Sequence, residues 1–245
     1  MNHFASKELI KSAYDSIRTK EPWTHESSNL LHHRVLPHAT LAPWLNDRAF
    51  LNIYNKVKSY TLVDLYRCYE LYNLALQASK VDGAILEVGV WRGGTGAIIA
   101  EASKTTNKKV YLADTFSGVV KAGANDTSYK GGEHADTSRS LVSNLISSLS
   151  LANVQILEGV FPEDTAHLIK ENISMLHCDV DVYSSSKDIV EWCLPKMSTG
   201  GVLVFDDYGF YGCEGVTLFC NELKSRKDLI FIHNLNGHAV FIKTS

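Results

Sequence analysis

Two pairs of acids in this chain could act together: Asp179 and Asp181 in Met175-Leu-His-Cys-Asp-Val-Asp-Val-Tyr183, and Asp206 and Asp207 in Gly201-Val-Leu-Val-Phe-Asp-Asp-Tyr208. Each pair closes an apolar run that reads as a strand. Residues i and i+2 of an extended strand point to the same face, so Asp179 and Asp181 are expected to project together from the strand's carboxyl end. If the two strands are parallel neighbours, three or four carboxylates converge on one edge of one sheet. Like charges that close need a cation or a shared task. Hard oxygen ligands gathered in this way suit Mg²⁺ or another octahedral divalent ion, which keeps waters and takes substrate oxygens.

A second chemical feature precedes them. Ala84-Ile-Leu-Glu-Val-Gly-Val90 reads as a short buried strand, followed by the turn Trp91-Arg-Gly-Gly-Thr-Gly96 and the helix Ala97-Ile-Ile-Ala-Glu-Ala102. The glycines, Gly89 followed by Gly93, Gly94 and Gly96, are not spaced as G-x-G-x-x-G, which counts against a nicotinamide dinucleotide. Such a turn lets a ligand lie against backbone N–H groups at a helix start, while Glu87 at the strand end can hold an ammonium group. A ligand with a carboxylate and an amine, such as the methionine part of S-adenosylmethionine, fits both. The next strand, Lys109-Val-Tyr-Leu-Ala-Asp114, ends in an acid placed to accept from both hydroxyls of a ribose. The expected cofactor-binding set is Glu87, Gly89, Trp91, Gly93, Gly94, Thr95, Asp114 and Ser117.

The elements that must position these groups alternate. A helical spacing of apolar residues runs from Thr61 to Ser79, before Asp82-Gly83 turns the chain into the first strand. After Asp114, residues 117 to 136 are rich in Gly, Ala, Lys and Asp without periodicity. A loop of that length leaving the cofactor end of a sheet is expected to be a lid. Thr137 or Ser138 caps a helix to Leu149, Val154–Gly159 is a third strand, and Phe161–Lys170 a short helix. The strands carrying the acids flank a helix over Ser185–Met197. Cys213–Lys224 is a further helix, and Leu229–His233 and Ala239–Lys243 are two last strands joined at Asn234-Leu-Asn-Gly237. Strands and helices in this order describe an α/β fold, a doubly wound Rossmann-like sheet of the class I methyltransferase type with a terminal antiparallel hairpin.

The first fifty residues are uneven and cut by Pro22, Pro37 and Pro43, with Trp23 and Trp44 as isolated anchors. They read as short helices and loops, so the expected division is an N-terminal helical extension over 1–60 and a core domain over 61–245. At 245 residues and 45% hydrophobic content the chain can bury a sizeable core. A formal charge of −3 without any dense basic run gives no reason to expect nucleic acid, so the expected partner is a small molecule, with a homo-oligomer left open. Five cysteines in no CxxC spacing fit reduced thiols, and the lack of a leader pattern or membrane-length apolar run points to the cytoplasm. Among scattered histidines, His177 and His238 are possible active-site groups, and only His32 and His33 adjoin.

Several blocks together resemble one family, the macrocin O-methyltransferases that act on sugars of antibiotics and related glycosides. They are Glu87-Val-Gly-Val-Trp-Arg-Gly-Gly94, Ala113-Asp-Thr-Phe-Ser-Gly118, Glu158-Gly-Val-Phe-Pro-Glu-Asp-Thr165, Asp179-Val-Asp-Val-Tyr-Ser184 and Pro195 to Gly209, in order from about Thr61 to the end. The resemblance implies S-adenosylmethionine-dependent, Mg²⁺-dependent methylation of a sugar hydroxyl. It makes Asp179, Asp206 and Asp207 the metal ligands and Asp181 the general base. The family's Asp-Gly-Asp is Asp-Val-Asp here, and Val180, on the opposite strand face, is expected to leave the pair's geometry intact. A catechol-type methyltransferase shares cofactor and metal, a nicotinamide dehydrogenase is disfavoured by the glycine spacing, and a cofactor-binding scaffold has no need of Asp181.

Overall fold

The computed structural model describes Glu8, Leu9, residues 11–13, 41–106 and 108–245. Most of the expected N-terminal extension, including Pro22, Trp23, His32, His33 and Pro37, lies outside the described residues. Of the unit Met1–Ala42, Glu8, Leu9 and residues 11–13 are helical. The unit Pro43–Ser245 carries everything that follows. Its first elements, a 3-10 turn Pro43–Asn46 and helix α1 (Arg48–Val57), fall inside the segment expected as extension, and Asp47 caps α1 by accepting from the Phe50 N–H. Phe50, Ile53 and Val57 recur on one face of α1 and are buried in the core.

Helix α2 (Leu65–Ala78) starts at Asp64, whose carboxylate accepts from the N–H groups of Tyr66 and Arg67. Strand β1 (Ala84–Val88) follows, then α3 (Gly94–Ser103) and β2 (Val110–Asp114). Residues 115–138 carry no helix or strand. Helix α4 (Arg139–Ser148) is capped by Ser138 Oγ, which accepts from Leu141 N–H, and β3 is Val154–Glu158. The expected helix over Phe161–Lys170 is only a 3-10 turn, Ala166–Leu168. Then come β4 (Ile173–Cys178), α5 (Tyr183–Cys193), β5 (Met197–Phe205), α6 (Glu214–Leu223), β6 (Leu229–His233) and β7 (Ala239–Lys243).

The strands form one seven-stranded sheet in the order β3-β2-β1-β4-β5-β7-β6, parallel except that β7 runs antiparallel to both neighbours. Buried residues alternate between its faces: Ile85 and Met175 pack with α1 to α4, Leu86 and Leu176 with α5 and α6. All five residues of β1 and all six of β4 are buried, as expected for central parallel strands covered on both faces. The chain winds from β1 to β3 in one direction and returns to the other side of β1 with β4. That reversal leaves a crevice beyond the carboxyl ends of β1 and β4, the place where open α/β sheets take their ligands.

Candidate active site

A cavity of about 330 Å³ fills this crevice. Of the expected cofactor set, Gly89, Trp91, Thr95 and Asp114 line it. So do Asp179, Asp181, Asp206 and Asp207. The sheet register brings these groups together. Val88 of β1 pairs with Ala113 on one side and Cys178 on the other, and Cys178 pairs with Phe205, so Asp114, Asp179 and Asp206 leave neighbouring strands at one level. The Asp179 N–H bonds to Val88 O at 2.9 Å and the Asp206 N–H to Cys178 O at 3.0 Å, which locks that level.

Gly89 is required by close approach. Its φ is +88°, and a Cβ there would lie 1.6 Å from the carbonyl oxygen of Asp179. Asp114 gathers the turn that follows: its Oδ2 accepts from Val90 and Trp91 N–H at 2.7 and 2.9 Å, and its Oδ1 from Phe116 N–H at 2.6 Å. Four expected residues are set back from the cavity. Gly93 packs on the Val142 side chain, Gly94 donates its N–H to Tyr60 O at 2.9 Å, and Ser117 is exposed, with Thr115 and Gly118 on the wall instead. Glu87 is wholly buried. It faces His177, its register partner on β4, with Oε1 2.8 Å from His177 Nδ1, while Oε2 lies unpartnered against Gly96.

The acids differ from the expected strand geometry. Strand β4 ends at Cys178, and Asp181 lies in a left-handed turn with φ +64°, so Asp179 and Asp181 approach through a turn rather than through strand alternation. Asp207 is also left-handed, with φ +59°, after β5 ends at Phe205. Aspartate tolerates this conformation better than most residues. One carboxylate oxygen from each of Asp179, Asp206 and Asp207 falls within 4.8 Å of the others, a set of hard donors suited to a divalent ion. Burial first, then the charge of Asp206, holds the carboxyl of Asp179 well above its ordinary range. Burial and Asp207 push Asp181 up to about 8. Asp207 is raised by burial and by Asp206. One oxygen of Asp181 lies within 4.8 Å of one of Asp207, and this contact adds to the rise of Asp181 while opposing that of Asp207.

Asp206 goes the other way. Burial would raise it, but His238 and Arg67 overcome that and hold it at about 2. Antiparallel pairing of Phe205 with Ala239 places His238 beside Asp206, with Nε2 2.9 Å from Oδ1. His238 Nδ1 lies 2.7 Å from Glu70 Oε2, which also accepts from Asn236 at 2.8 Å. Burial opposes the charge of His238, yet Asp206 and Glu70 raise it to about 9.

Three partners escaped sequence reading. Arg67 of α2 reaches Asp206 and Asp207; its signal was an arginine on the buried stripe of Arg67, Leu71, Ala75 and Ala78. Glu70, on the same helix, orients His238. Tyr129, in the irregular segment, donates its hydroxyl to Asp181 Oδ1 at 2.9 Å, and no periodicity pointed to it. That segment is anchored by Asp126, whose Oδ1 accepts from the Tyr183 N–H at the start of α5 and Oδ2 from Gly123 N–H. It supplies Val119, Val120, Tyr129 and His134 to the cavity wall.

These shifts fix a pH dependence. An acid whose folded pKa lies above its ordinary value costs folded stability as pH rises between the two, which for Asp181 means from 3.8 to about 8. The His238 contribution is whole below 6.5 and lost as pH rises through about 9. Asp206 stabilises above 3.8 and loses this as pH falls through about 2, outside the window. In chelator, the thermal unfolding midpoint should therefore fall between about pH 5 and pH 9, and Asp181→Asn should flatten the slope. A midpoint that rises across that window would contradict the charge assignment.

The family described as Macrocin-O-methyltransferase (TylF) matches residues 54–243. A tetracenomycin-C 4'-O-methyltransferase of Streptomyces olivaceus, acting on the 8-demethyl-8-(2,3-dimethoxy-alpha-L-rhamnosyl) form, is 27% identical over 63% of this chain and 65% of its own length. Mycinamicin III 3''-O-methyltransferase of Micromonospora griseorubida is 28% identical over 63% of this chain and 67% of its own. Demethyldecarbamoylnovobiocin O-methyltransferase of Streptomyces niveus is 29% identical over 53% of this chain and 54% of its own. The matches thus span about two thirds or less of these relatives. Among solved structures, the O-methyltransferase NovP superposes with a TM-score of 0.65 at 23% identity over 76% of this chain and 83% of its own. The calicheamicin methyltransferase CalS11 does so with 0.62 at 13% identity over 85% and 94%. At these identities the structures establish the shared fold.

Proposed function

The chain belongs to the macrocin O-methyltransferase family, and from that membership we propose that it transfers a methyl group from S-adenosylmethionine to a hydroxyl of a sugar or glycoside, with Mg²⁺ or another divalent ion held by Asp179, Asp206 and Asp207. The carrying observation is that one cavity joins the Gly89 turn and Asp114 to a cluster of four acids. The cofactor end fits: a glycine turn too tight for a Cβ, and an acid on the second strand whose Oδ2 gathers the N–H groups of that turn. The relatives named above are O-methyltransferases, one of them of a rhamnosyl-bearing tetracenomycin C, which makes a sugar the favoured acceptor here.

When bound, S-adenosylmethionine supplies an electrophilic methyl group, and a divalent ion supplies charge that lowers the pKa of a chelated hydroxyl. What remains for the protein is alignment and proton removal. Asp181 takes the proton of the acceptor hydroxyl. Burial raises its carboxyl above the ordinary range and so strengthens it as a base, and Tyr129 fixes the orientation of its carboxylate through Oδ1. The apolar walls, among them Val88, Phe161 and Ile189, keep the reacting groups dry. The five cysteines are buried free thiols, which suits a reducing compartment such as the cytoplasm, and no described helix is long and apolar enough to cross a membrane.

Two measurements test this reading. Titration calorimetry should show S-adenosylmethionine binding, weakened roughly 10- to 150-fold in Asp114→Ala, the loss expected for hydrogen bonds to a charged group. Unchanged affinity would remove Asp114 from the cofactor site. Release of S-adenosylhomocysteine should then be followed with glycosides bearing adjacent free hydroxyls and, in parallel, with catechols. Turnover confined to the catechols would sink the sugar assignment.

A further inference from the structure

Arg67 stands at the first turn of α2 with its side chain among acids instead of in solvent. It is 5% exposed. Its Nε donates to Asp64 Oδ2 at 2.9 Å, and its Nη1 to Asp206 Oδ1 at 2.6 Å and Asp207 Oδ1 at 3.1 Å. The Phe210 ring covers the guanidinium at 4.6 Å. Asp206 Oδ1 also faces His238 Nε2. One oxygen of Asp206 and one of Asp207 are thus committed to fixed protein cations, on the wall of the cavity that holds the other acids.

We propose that Arg67 is a resident counter-cation of the acidic cluster, a positioning residue that leaves Asp206 and Asp207 one free oxygen each for a divalent ion and weakens the cluster's hold on that ion. The inference rests on the reading of Asp179, Asp206 and Asp207 as metal ligands. A guanidinium keeps its charge at any working pH, and its planar fork holds several carboxylates at set angles where an ammonium acts as a point charge. Four carboxylates around one crevice would otherwise repel one another in a medium of low dielectric. Arg67 lets them assemble before an ion arrives. The same positive charge then opposes the incoming ion, so binding is loose and one-oxygen contact is imposed at both residues.

The test uses Mn²⁺ titration calorimetry and thermal unfolding of the whole chain, in chelator and in Mg²⁺, for wild type, Arg67→Met and Arg67→Lys. Arg67→Met should bind Mn²⁺ roughly tenfold or more tightly than wild type, since a unit charge a few ångströms from the ion is removed. Its midpoint should lie below wild type in chelator and rise further than wild type on adding Mg²⁺. Arg67→Lys should move in the same direction by less, and it carries the test if the methionine variant does not fold. A midpoint lowered equally with and without metal, together with Mn²⁺ affinity no higher than wild type, would make Arg67 purely structural and overturn the proposal alone. Absence of Mn²⁺ binding in wild type and variants alike would overturn the metal-ligand reading and the proposal with it.

Discussion

Replacing Asp181 by asparagine is expected to lower turnover by roughly 10² to 10⁴, the range typical for loss of a general base, with S-adenosylmethionine affinity nearly unchanged. Asparagine keeps the shape of the side chain and an oxygen that can still accept from Tyr129, 2.9 Å away in the native chain. It cannot take up a proton. The effect should therefore appear in kcat, and added metal should not restore it. Single-turnover rates with saturating cofactor and acceptor separate this from a binding defect. If Asp181→Asn turns over within about threefold of wild type, or is rescued by Mg²⁺, another group is the base.

Replacing Asp206 by asparagine is expected to cost about 3–5 kcal/mol of stability, because it removes the anion between two buried cationic groups and leaves Arg67 and His238 short of charge. Chemical denaturation in chelator measures this directly. Activity should fall as well, but higher Mg²⁺ should recover little of it while the fold is weakened. The carboxyl of Asp179 is destabilised by burial and by its acidic neighbours, which the charge of Arg67 offsets only in part. Asp179→Asn should accordingly leave the fold as stable as wild type or more so in chelator, while weakening the metal, and excess Mg²⁺ should restore part of its activity. Equal stability losses in the two variants would mean that Arg67 and His238 do not set the balance of charge around Asp206.

The sequence by itself determined the order of strands and helices, because burial on both faces writes continuous apolar runs and helix faces write a spacing of three to four. It also located the chemistry. Acids placed directly after apolar runs at Asp114, Asp179 and Asp206 must emerge at strand ends, and in a parallel sheet those ends share one edge. Gly89 was legible for a similar reason, since a glycine after a buried strand marks a place without room for a side chain. Segment ends were less legible: the helix expected after Phe161 shrinks to a 3-10 turn at Ala166–Leu168, and the strand expected to reach Asp181 stops at Cys178.

What only the tertiary structure decided was which charges meet. Arg67 and Asp206 are 139 positions apart and Glu70 and His238 168 apart, and no local periodicity encodes such a pairing. It follows from register, which sets Cys178 beside Phe205 and Phe205 beside Ala239, and from the packing of α2 against β4 and β5. The same is true of Glu87. Its place near the end of β1 suggested a ligand contact, yet its register partner is His177, and the fold buries the two against each other. Local pattern records whether a side chain faces in or out. The identity of its neighbour, and hence whether a buried acid is held at about 2 like Asp206 or pushed up to about 8 like Asp181, is fixed only when the strands are paired and the helices laid across them.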